Sequence, residues 1–360
     1  MIEELRSESK SASGGKVAVV ILSWNGKEMI EEYLSSVIAS NYADLEVVVA
    51  DNHSDDGSAT LVREKFPSVR LIELERNFGF AAGYNEALQR IRAEYFVLLN
   101  QDVEVTPNWL EPMIALMEKD RTIAACQPKI KDLRHRERFE YAGAAGGYLD
   151  ALGYPFCRGR VFETIEEDSG QYDDVVECAW ASGAAICVRA DLFHRFGGLD
   201  ADFVAHMEEI DLCWRLRNAG YRIMCCPQSV VYHVGGASLA RGNPRKTFLN
   251  FRNSFVTIIK NERGAKLLWL VPVRWLLDVV AGLKFLLSGQ WRDWLAVIKA
   301  HLHVFFRLGK WWRSRRHSIA IINANRIGEP SRARIIGGSI VWKYFVKGRK
   351  RFSDLNSSTQ

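Results

Sequence analysis

Four polar segments of this 360-residue chain carry side chains able to do chemistry, and three of them follow an apolar run. In DNHSDDGS (51–58), Asp51 offers a carboxylate that accepts the imide N–H of a uracil or thymine ring, a bond cytosine does not offer. The same segment suits turns and helix caps, the usual work of residues such as Asp55, Asp56 and Ser58, so Asp51 reads either way. In NQDV (100–103), Asp102 is a hard oxygen donor suited to Mg²⁺ or Mn²⁺ bridging two phosphates, and Asn100 is placed to reach a ribose. A loop aspartate is equally often just solvated. HMEEIDLCWRLRNAGY (206–221) opens a helix on Glu208 and Glu209, where the positive end of the macrodipole predicts ionised carboxylates. Such a carboxylate facing a hydroxyl is a general base, although acidic helix starts also serve stability alone. His233, in VVYHVGG, ends a strand-like run and precedes two glycines. It is either a further metal ligand or a structural ring.

These segments need a scaffold that gathers them. VAVVILS (17–23), LEVVVAD (45–51), VRLIEL (69–74) and YFVLLN (95–100) are short β-rich runs without polar alternation, which predicts strands buried on both faces of a mainly parallel sheet. Amphipathic stretches at 27–39, 58–66 and 80–92 lie between them, giving a β-α-β-α-β-α-β order. In such sheets ligands sit beyond the carboxyl ends of the strands, where SWNG, DNHSDDGS, ERNFGFAAGYN and NQDV fall. Further strands are expected near 122–127, 177–188 and 221–234, with a helix over 208–219 closed by Gly220. The stretch 131–175 reads as a long loop over the site that carries specificity.

Composition divides the chain near residue 240. Residues 1–240 hold 24 Lys and Arg against 38 Asp and Glu, whereas residues 241–360 hold 24 against 5. The basic part predicts a polyanionic partner. Three helices are expected near 244–261, 265–288 and 290–313, with Arg274 and Asp278 on one face of the second. Trp-rich amphipathic helices with basic faces predict an interfacial membrane anchor on an anionic surface, against packing on the catalytic part or pairing into a dimer. No stretch is long and uncharged enough to span a bilayer, and no nucleic-acid module accompanies the charge. Residues 1–15 and 351–360 read as tails, and the N-terminus lacks the basic-then-apolar pattern of a signal peptide. The expectation is a protein on the cytoplasmic face of the plasma membrane, peripheral or monotopic. Seven unpaired-looking cysteines in apolar runs predict reduced core thiols.

The order of the segments carries more than any one of them. VVILSWNGKEMIEEYLSSV, VVVADNHSDDGS, ERNFGFAAGYNEAL, YFVLLNQDVEV, SGAAICVRADLFHRFGGLDADF, EEIDLCWRLRNAGY and VYHVGG resemble, in order and spacing, the blocks of glycosyltransferase family 2, in particular its rhamnosyltransferase-like branch. The resemblance covers about residues 16–260. It implies an α/β GT-A fold over 16–243, a Rossmann-like mostly parallel sheet, followed by the basic helical, membrane-associating region at 244–350. It further implies an inverting, metal-dependent transfer of a sugar from a UDP- or dTDP-sugar, dTDP-rhamnose being one candidate. The acceptor would be a saccharide or a polyprenol-diphosphate-linked one, in surface polysaccharide synthesis.

By the same resemblance Ser23, Trp24 and Asn25 help hold the nucleoside, and Asp51 contacts the pyrimidine. Asn77, Gly79 and Asn85 match the block beside ribose and diphosphate, and Arg252 approaches the diphosphate. Asn100 and Asp102 stand at the DxD-type motif, with Asp102 and His233 on Mg²⁺ or Mn²⁺. Glu209 stands at the catalytic base, with Glu208 as its rival. Two positions depart from the family pattern: Asn100 replaces the first Asp of the motif, and Glu209 is one methylene longer than the usual Asp. The QxxRW block of processive synthases is absent, which favours addition of one or a few sugars. A nucleotidyltransferase would show a Gly-rich loop with Arg or Lys after the first strand, and a dehydrogenase would show GxGxxG there. SWNGKEM is neither. A catalytically inactive membrane scaffold of the same fold is the non-enzymatic alternative, against which Asp51, Asp102, Glu209 and His233 stand together.

Overall fold

The structure, a computed structural model, describes residues 15–235, 243–331 and 335–355. The tail at 1–14 and the last five residues lie outside them. The four apolar runs form β1 (Val17–Ser23), β2 (Leu45–Asp51), β3 (Arg70–Glu73) and β4 (Tyr95–Leu99), paired in parallel in the order β4-β1-β2-β3. The absence of polar alternation has its expected cause. Ala18 and Val20 enter one apolar core and Val17, Val19 and Ile21 the other, on opposite faces of the sheet. Helices α1 (Lys27–Ile38), α2 (Ser58–Lys65) and α3 (Gly79–Leu88) connect the strands. The parallel register pairs Ser23 with Asp51, so the first two polar loops leave the sheet side by side.

The sheet continues through β12 (Ala185–Arg189), β6 (Ile123–Asp132), β13 (Arg222–His233) and β11 (Val176–Cys178), with β5 (Val103–Val105) beside the end of β13. The run expected as one strand over 177–188 is two, β11 and β12, because the chain turns through Ser182–Gly183 to join β4 instead of β13. Helix α6 (Glu208–Asn218) ends on Gly220 at φ +95, the expected left-handed stop.

The stretch 131–175 is not an open loop. It folds into β7 (Gly147–Asp150), β8 (Pro155–Cys157), β9 (Arg160–Val161) and β10 (Thr164–Ile165), a small antiparallel sheet to which β14 (Ile335–Ile336) adds in parallel. Single-residue patterning misses it because its strands are two to four residues long and its last strand comes from almost 170 residues downstream. Phe352 is buried against Tyr148, Phe156 and Tyr172, so within the stretch expected as a tail from 351 this aromatic is anchored.

The basic part forms α7 (Pro244–Asn261), α8 (Lys266–Leu287), α9 (Trp291–Phe306) and α10 (Leu308–Ala324). The third expected helix is thus two, broken at Arg307. Helix α8 is amphipathic in the inverse sense of a surface helix. Its inward face holds Leu270, Arg274, Asp278 and Gly282, while Trp269, Val273, Leu276, Val280, Leu283 and Leu287 form an exposed stripe at spacings of four and three. Arg274 donates to the Leu152 carbonyl (3.0 Å) and Ser254 Oγ (2.9 Å) and stacks on Tyr154, and Asp278 meets His301 at 3.2 Å. The shared face of Arg274 and Asp278 is therefore the docking face onto the protein, and the apolar side looks out. Among the described residues no helix is long and apolar enough to cross a membrane. All seven cysteines are free and buried.

Candidate active site

The polar loops gather at the carboxyl ends of β1, β2, β4 and β13. The SWNG loop is laced to the next one: Asn25 N–H donates to Ser54 Oγ (3.0 Å), Asp55 N–H to Asn25 Oδ1 (3.0 Å) and Lys27 N–H to Asp56 Oδ2 (2.9 Å). Asn25 adopts φ 49 to do so. Ser23 is wholly buried with a hydroxyl free of hydrogen bonds, and Trp24 stands exposed beside it. Asp51 is also buried. Its Oδ2 accepts the Ser54 N–H at 3.0 Å, whereas Oδ1 has no partner. An orphaned buried carboxylate oxygen costs free energy unless a donor arrives, which suits a ligand N–H.

Asn52 is a residue that sequence reading passed over. Its side chain accepts the Phe78 N–H (2.9 Å) and donates to Asn77 Oδ1 and the Gly79 carbonyl (3.1 Å each), clamping the third loop to the second. Asn77 Oδ1 also accepts the Gly79 N–H at 2.8 Å, so Asn77 shapes the loop from within. Gly79, at φ +76, opens α3 with Val204 close against it. Asn85, expected beside ribose and diphosphate, spends its amide on the backbone. Both ends of its amide are taken by the backbone of Leu199 (3.0 and 2.7 Å), joining α3 to the turn after α5 (Ala190–Arg195).

Asp102 and His233 meet although 131 residues apart, Oδ1 lying 3.1 Å from Nε2, and Asn100 Nδ2 lies 3.4 Å from the same nitrogen. Strand β5 pairs His233 with Val103, which brings NQDV and VYHVGG together. The other ring nitrogen, Nδ1, lies 3.4 Å from Glu140 Oε1, a buried carboxylate that no sequence motif indicated. Burial alone would lower the His233 pKa, but the charges of Glu140 and Asp102 outweigh it and raise it to about 10, and a cation at Nε2 would displace that proton.

On the opposite side, Glu208 and Glu209 begin α6 from a strained loop. Val204, His206 and Met207 have φ of 67, 69 and 75, a region non-glycine residues seldom occupy and a β-branched valine least of all. Asn253 of α7 holds this loop through the carbonyls of Phe203 (3.0 Å), Ala205 (2.8 Å) and His206 (2.7 Å). Arg252 is committed to the same task, its guanidinium donating to the Asp202 and Phe203 carbonyls (2.9 Å each) and to Asn253 Oδ1 (2.7 Å). Those bonds make it a strap on the loop. The resemblance picks out Arg252, but the partners of its guanidinium are set by the tertiary structure.

The carboxylates themselves differ from the expectation of full ionisation. Burial raises Glu209 to about 7 despite stabilising backbone hydrogen bonds, and burial together with the Glu209 charge raises Glu208 well above the carboxylate range. Desolvation outweighs the helix terminus here. Glu209 is half-buried, packs beside Gly183 at ordinary contact distance, and carries an unpartnered Oε2. Ala184, next to Gly183, accepts the Asn100 N–H at 3.0 Å, which ties this half of the site to the Asp102 half. Both halves also act on the hydroxyl of Tyr84, raised first by burial and then by the charges of Asp102 and Glu208.

The site thus holds an orphaned acidic acceptor at Asp51 and a carboxylate raised toward neutrality at Glu209. The family model for glycosyl transferase family 2 matches residues 18–173. Those residues resemble that family, and the chain is a glycosyltransferase. It is similar to the N-acetylglucosaminyl-diphospho-decaprenol L-rhamnosyltransferase of Mycobacterium tuberculosis, 23% identical over 274 residues, which are 72% of this chain and 88% of that one. It is also similar to the O-antigen biosynthesis protein RfbC of Myxococcus xanthus, 24% identical over 62% of this chain and 18% of that protein. Two solved structures share the GT-A fold. GalNAc-T7 with UDP, GalNAc and Mn²⁺ matches at a TM-score of 0.55 with 17% identity, over 69% of this chain and 48% of that one. The mannosyltransferase PcManGT from Pyrobaculum calidifontis, in complex with GDP-Man and Mn²⁺, matches at 0.51 with 18% identity, over 90% and 93%.

Proposed function

We propose that the protein is an inverting glycosyltransferase that moves a sugar from a UDP- or dTDP-sugar, dTDP-rhamnose first among the candidates, to a polyprenol-diphosphate-linked saccharide. The observation that carries the reading is Glu209, a carboxylate beside Gly183 with an unpartnered oxygen and a pKa raised to about 7. That is the range in which a base is both ionised and strong enough to take a proton. In a single displacement the acceptor hydroxyl oxygen bonds to the anomeric carbon as its proton passes to Glu209. The bond from that carbon to the diphosphate breaks on the opposite face, and the nucleoside diphosphate leaves with the electron pair.

Asp51 Oδ1 supports a uracil or thymine ring, and the lipid-linked acceptor follows the substrate in the name of the mycobacterial relative. Asp102 and His233 fit a divalent cation. Their donor atoms are 3.1 Å apart, close to the ~3.0 Å edge of an octahedron with Mg²⁺-length bonds. Among the described residues no set of three or more ligating side chains surrounds them, which suits an ion completed by phosphate oxygens and water. Bound there, Mg²⁺ or Mn²⁺ would neutralise charge on the departing diphosphate. The test is a panel of nucleotide-sugars with a synthetic lipid-linked acceptor, with and without Mn²⁺, scored for nucleoside diphosphate release and for the product's anomeric configuration. Retained configuration, or release only from purine donors, overturns the reading.

The site of action is an anionic membrane surface on the cytoplasmic face. Support comes from the outward stripe of α8, the exposed Trp291, Phe305 and Phe306 of α9, and exposed basic neighbours such as Lys284, Arg292 and Lys299. Removing the helices is a poor test, because Trp311 is buried and Arg315 donates to the Ile259 and Glu262 carbonyls (2.6 Å each) at the end of α7. Replacing exposed Trp269, Leu276 and Leu283 by Ser leaves those contacts intact. The variant is expected to lose flotation with phosphatidylglycerol vesicles while keeping nucleotide binding. Undiminished flotation refutes the surface assignment.

A further inference from the structure

We propose that Glu140 is a positioning residue that fixes the imidazole of His233, so that Nε2 and not Nδ1 serves the cation seat formed with Asp102. The inference rests on the reading of Asp102 and His233 as cation ligands, and it adds a third residue that acts only through His233.

Glu140 lies in the turn between β6 and β7, outside every motif the sequence displays. Its carboxylate is 3% exposed. The backbone N–H of Glu140 donates to the Ile130 carbonyl at 3.1 Å, and its Oε2 accepts the Ala142 N–H at 2.5 Å. That leaves Oε1 3.4 Å from His233 Nδ1, an ion-pair contact, with Nδ1 otherwise unpartnered. Burying a carboxylate is costly unless a partner compensates it.

The arrangement has a different logic when both ring nitrogens are considered. Nε2 faces Asp102 Oδ1 at 3.1 Å, and Nδ1 faces Glu140. A ligating histidine presents one nitrogen to the ion and donates its other N–H to a carboxylate, which fixes the tautomer and the ring plane. Glu140 is placed to be that carboxylate. The backbone makes room for it. Gly235 adopts φ +69, and a Cβ there would fall 2.9 Å from Glu140 Oε1. The first glycine of the VYHVGG pair therefore has a physical task, to let a carboxylate from a distant turn reach the back of the ring.

The same turn touches the other half of the site. A Cβ on Gly143 would sit 2.6 Å from the Ser182 Cβ, and Ser182 precedes Gly183, the neighbour of Glu209. Gln127 bridges the two segments, donating to the Gly143 carbonyl (3.2 Å) and accepting the Ser182 N–H (2.9 Å). Glu140 thus stands on a rigid support shared by the cation seat and the base.

The test uses the full chain with UDP at a fixed saturating concentration, titrated with Mn²⁺ while free Mn²⁺ is counted by electron paramagnetic resonance. Glu140→Gln keeps size and one acceptor but removes the charge. It is expected to weaken Mn²⁺ binding by about ten- to hundredfold, with metal-free UDP binding unchanged and lost turnover recovered at high Mn²⁺. A folded Glu140→Gln protein with unaltered Mn²⁺ affinity overturns the inference. If that variant fails to fold, Gly235→Ala crowds Oε1 while leaving Glu140 in place, and unaltered affinity there overturns it equally. Asp102→Asn separates the two levels. If it binds Mn²⁺ as tightly as the unsubstituted protein, the cation seat itself is wrong. If it loses the ion while Glu140→Gln retains it, only the role of Glu140 falls.

Discussion

Replacing Glu209 by Gln should abolish transfer and stabilise the fold at once, a pairing expected of a base held in an unfavourable environment. Burial raises the carboxyl from 4.5 to about 7. At 1.36 kcal/mol per pH unit, a shift of that size is worth at most about 3 kcal/mol, and partial exposure reduces it to about 1–3 kcal/mol. The sign follows from the protons bound. A carboxyl with a raised folded pKa stabilises fully below its unfolded value and loses that contribution as pH climbs through 4.5 to about 7. Above pH 8 the native protein therefore carries an ionised, poorly solvated carboxylate, and the amide of Glu209→Gln does not. The variant should melt a few degrees higher at pH 8 and at the same temperature near pH 4. Its transfer rate should fall by about 10²–10⁴. In the native enzyme, kcat should rise about tenfold between pH 6 and 8 as Glu209 ionises. Burial and the Glu209 charge favour the neutral form of Glu208, so Glu208→Gln should leave most of the rate intact. Thermal melts at two pH values, with single-turnover transfer, decide the matter. Near-normal transfer by Glu209→Gln, a larger loss in Glu208→Gln, or an unchanged melting point at pH 8 would refute the reasoning.

Other outcomes follow from contacts elsewhere in the site. Asp51→Asn should weaken UDP binding by about 1–3 kcal/mol, because the orphaned Oδ1 would be exchanged for an N–H donor or would leave its position; isothermal titration with UDP measures it, and equal affinity removes Asp51 from the base pocket. Asn253→Ala removes the donor shared by three carbonyls of the strained 203–206 loop. It should lower kcat more than UDP affinity, and a loss confined to UDP binding would contradict that. Lys260 pairs with Asp211 at 2.9 Å and also holds Asp200, so Lys260→Met should destabilise by about 3–5 kcal/mol, because it leaves a buried charge uncompensated. Burial opposes ionisation of Asp211, but Lys260 and Arg215 outweigh it and lower its pKa. The associated stability is present above the ordinary carboxylate range and disappears as pH falls through the lowered value. The unsubstituted protein should therefore show an acid limb in chemical denaturation that Lys260→Met largely lacks.

What the sequence determined by itself is local and repetitive. Runs such as VAVVILS and LEVVVAD can only be satisfied with both faces buried, so the parallel sheet and the position of its polar carboxyl edge were legible, and with them Asp51, Asp102, Glu209 and His233 as candidates. The charge division near residue 240 was legible as well. Tertiary structure decided which groups meet and how much water they keep. Asn85 and Arg252 look like ligand residues in sequence, yet their polar atoms are consumed by the backbones of Leu199 and of residues 202–203. Asn52, Glu140 and Asn253 gain their importance from partners 25 to 93 residues away, a distance no local pattern reports. Helix α8 shows the same limit. Its periodicity marked a face with Arg274 and Asp278, but only the positions of Leu152, Tyr154 and His301 made that face the inward one. The ionisation of Glu209 changed most. A helix start favours the charged form, and its sequence position says nothing of the burial that moves it toward neutrality, because desolvation depends on everything packed around the group and not on the chain that bears it.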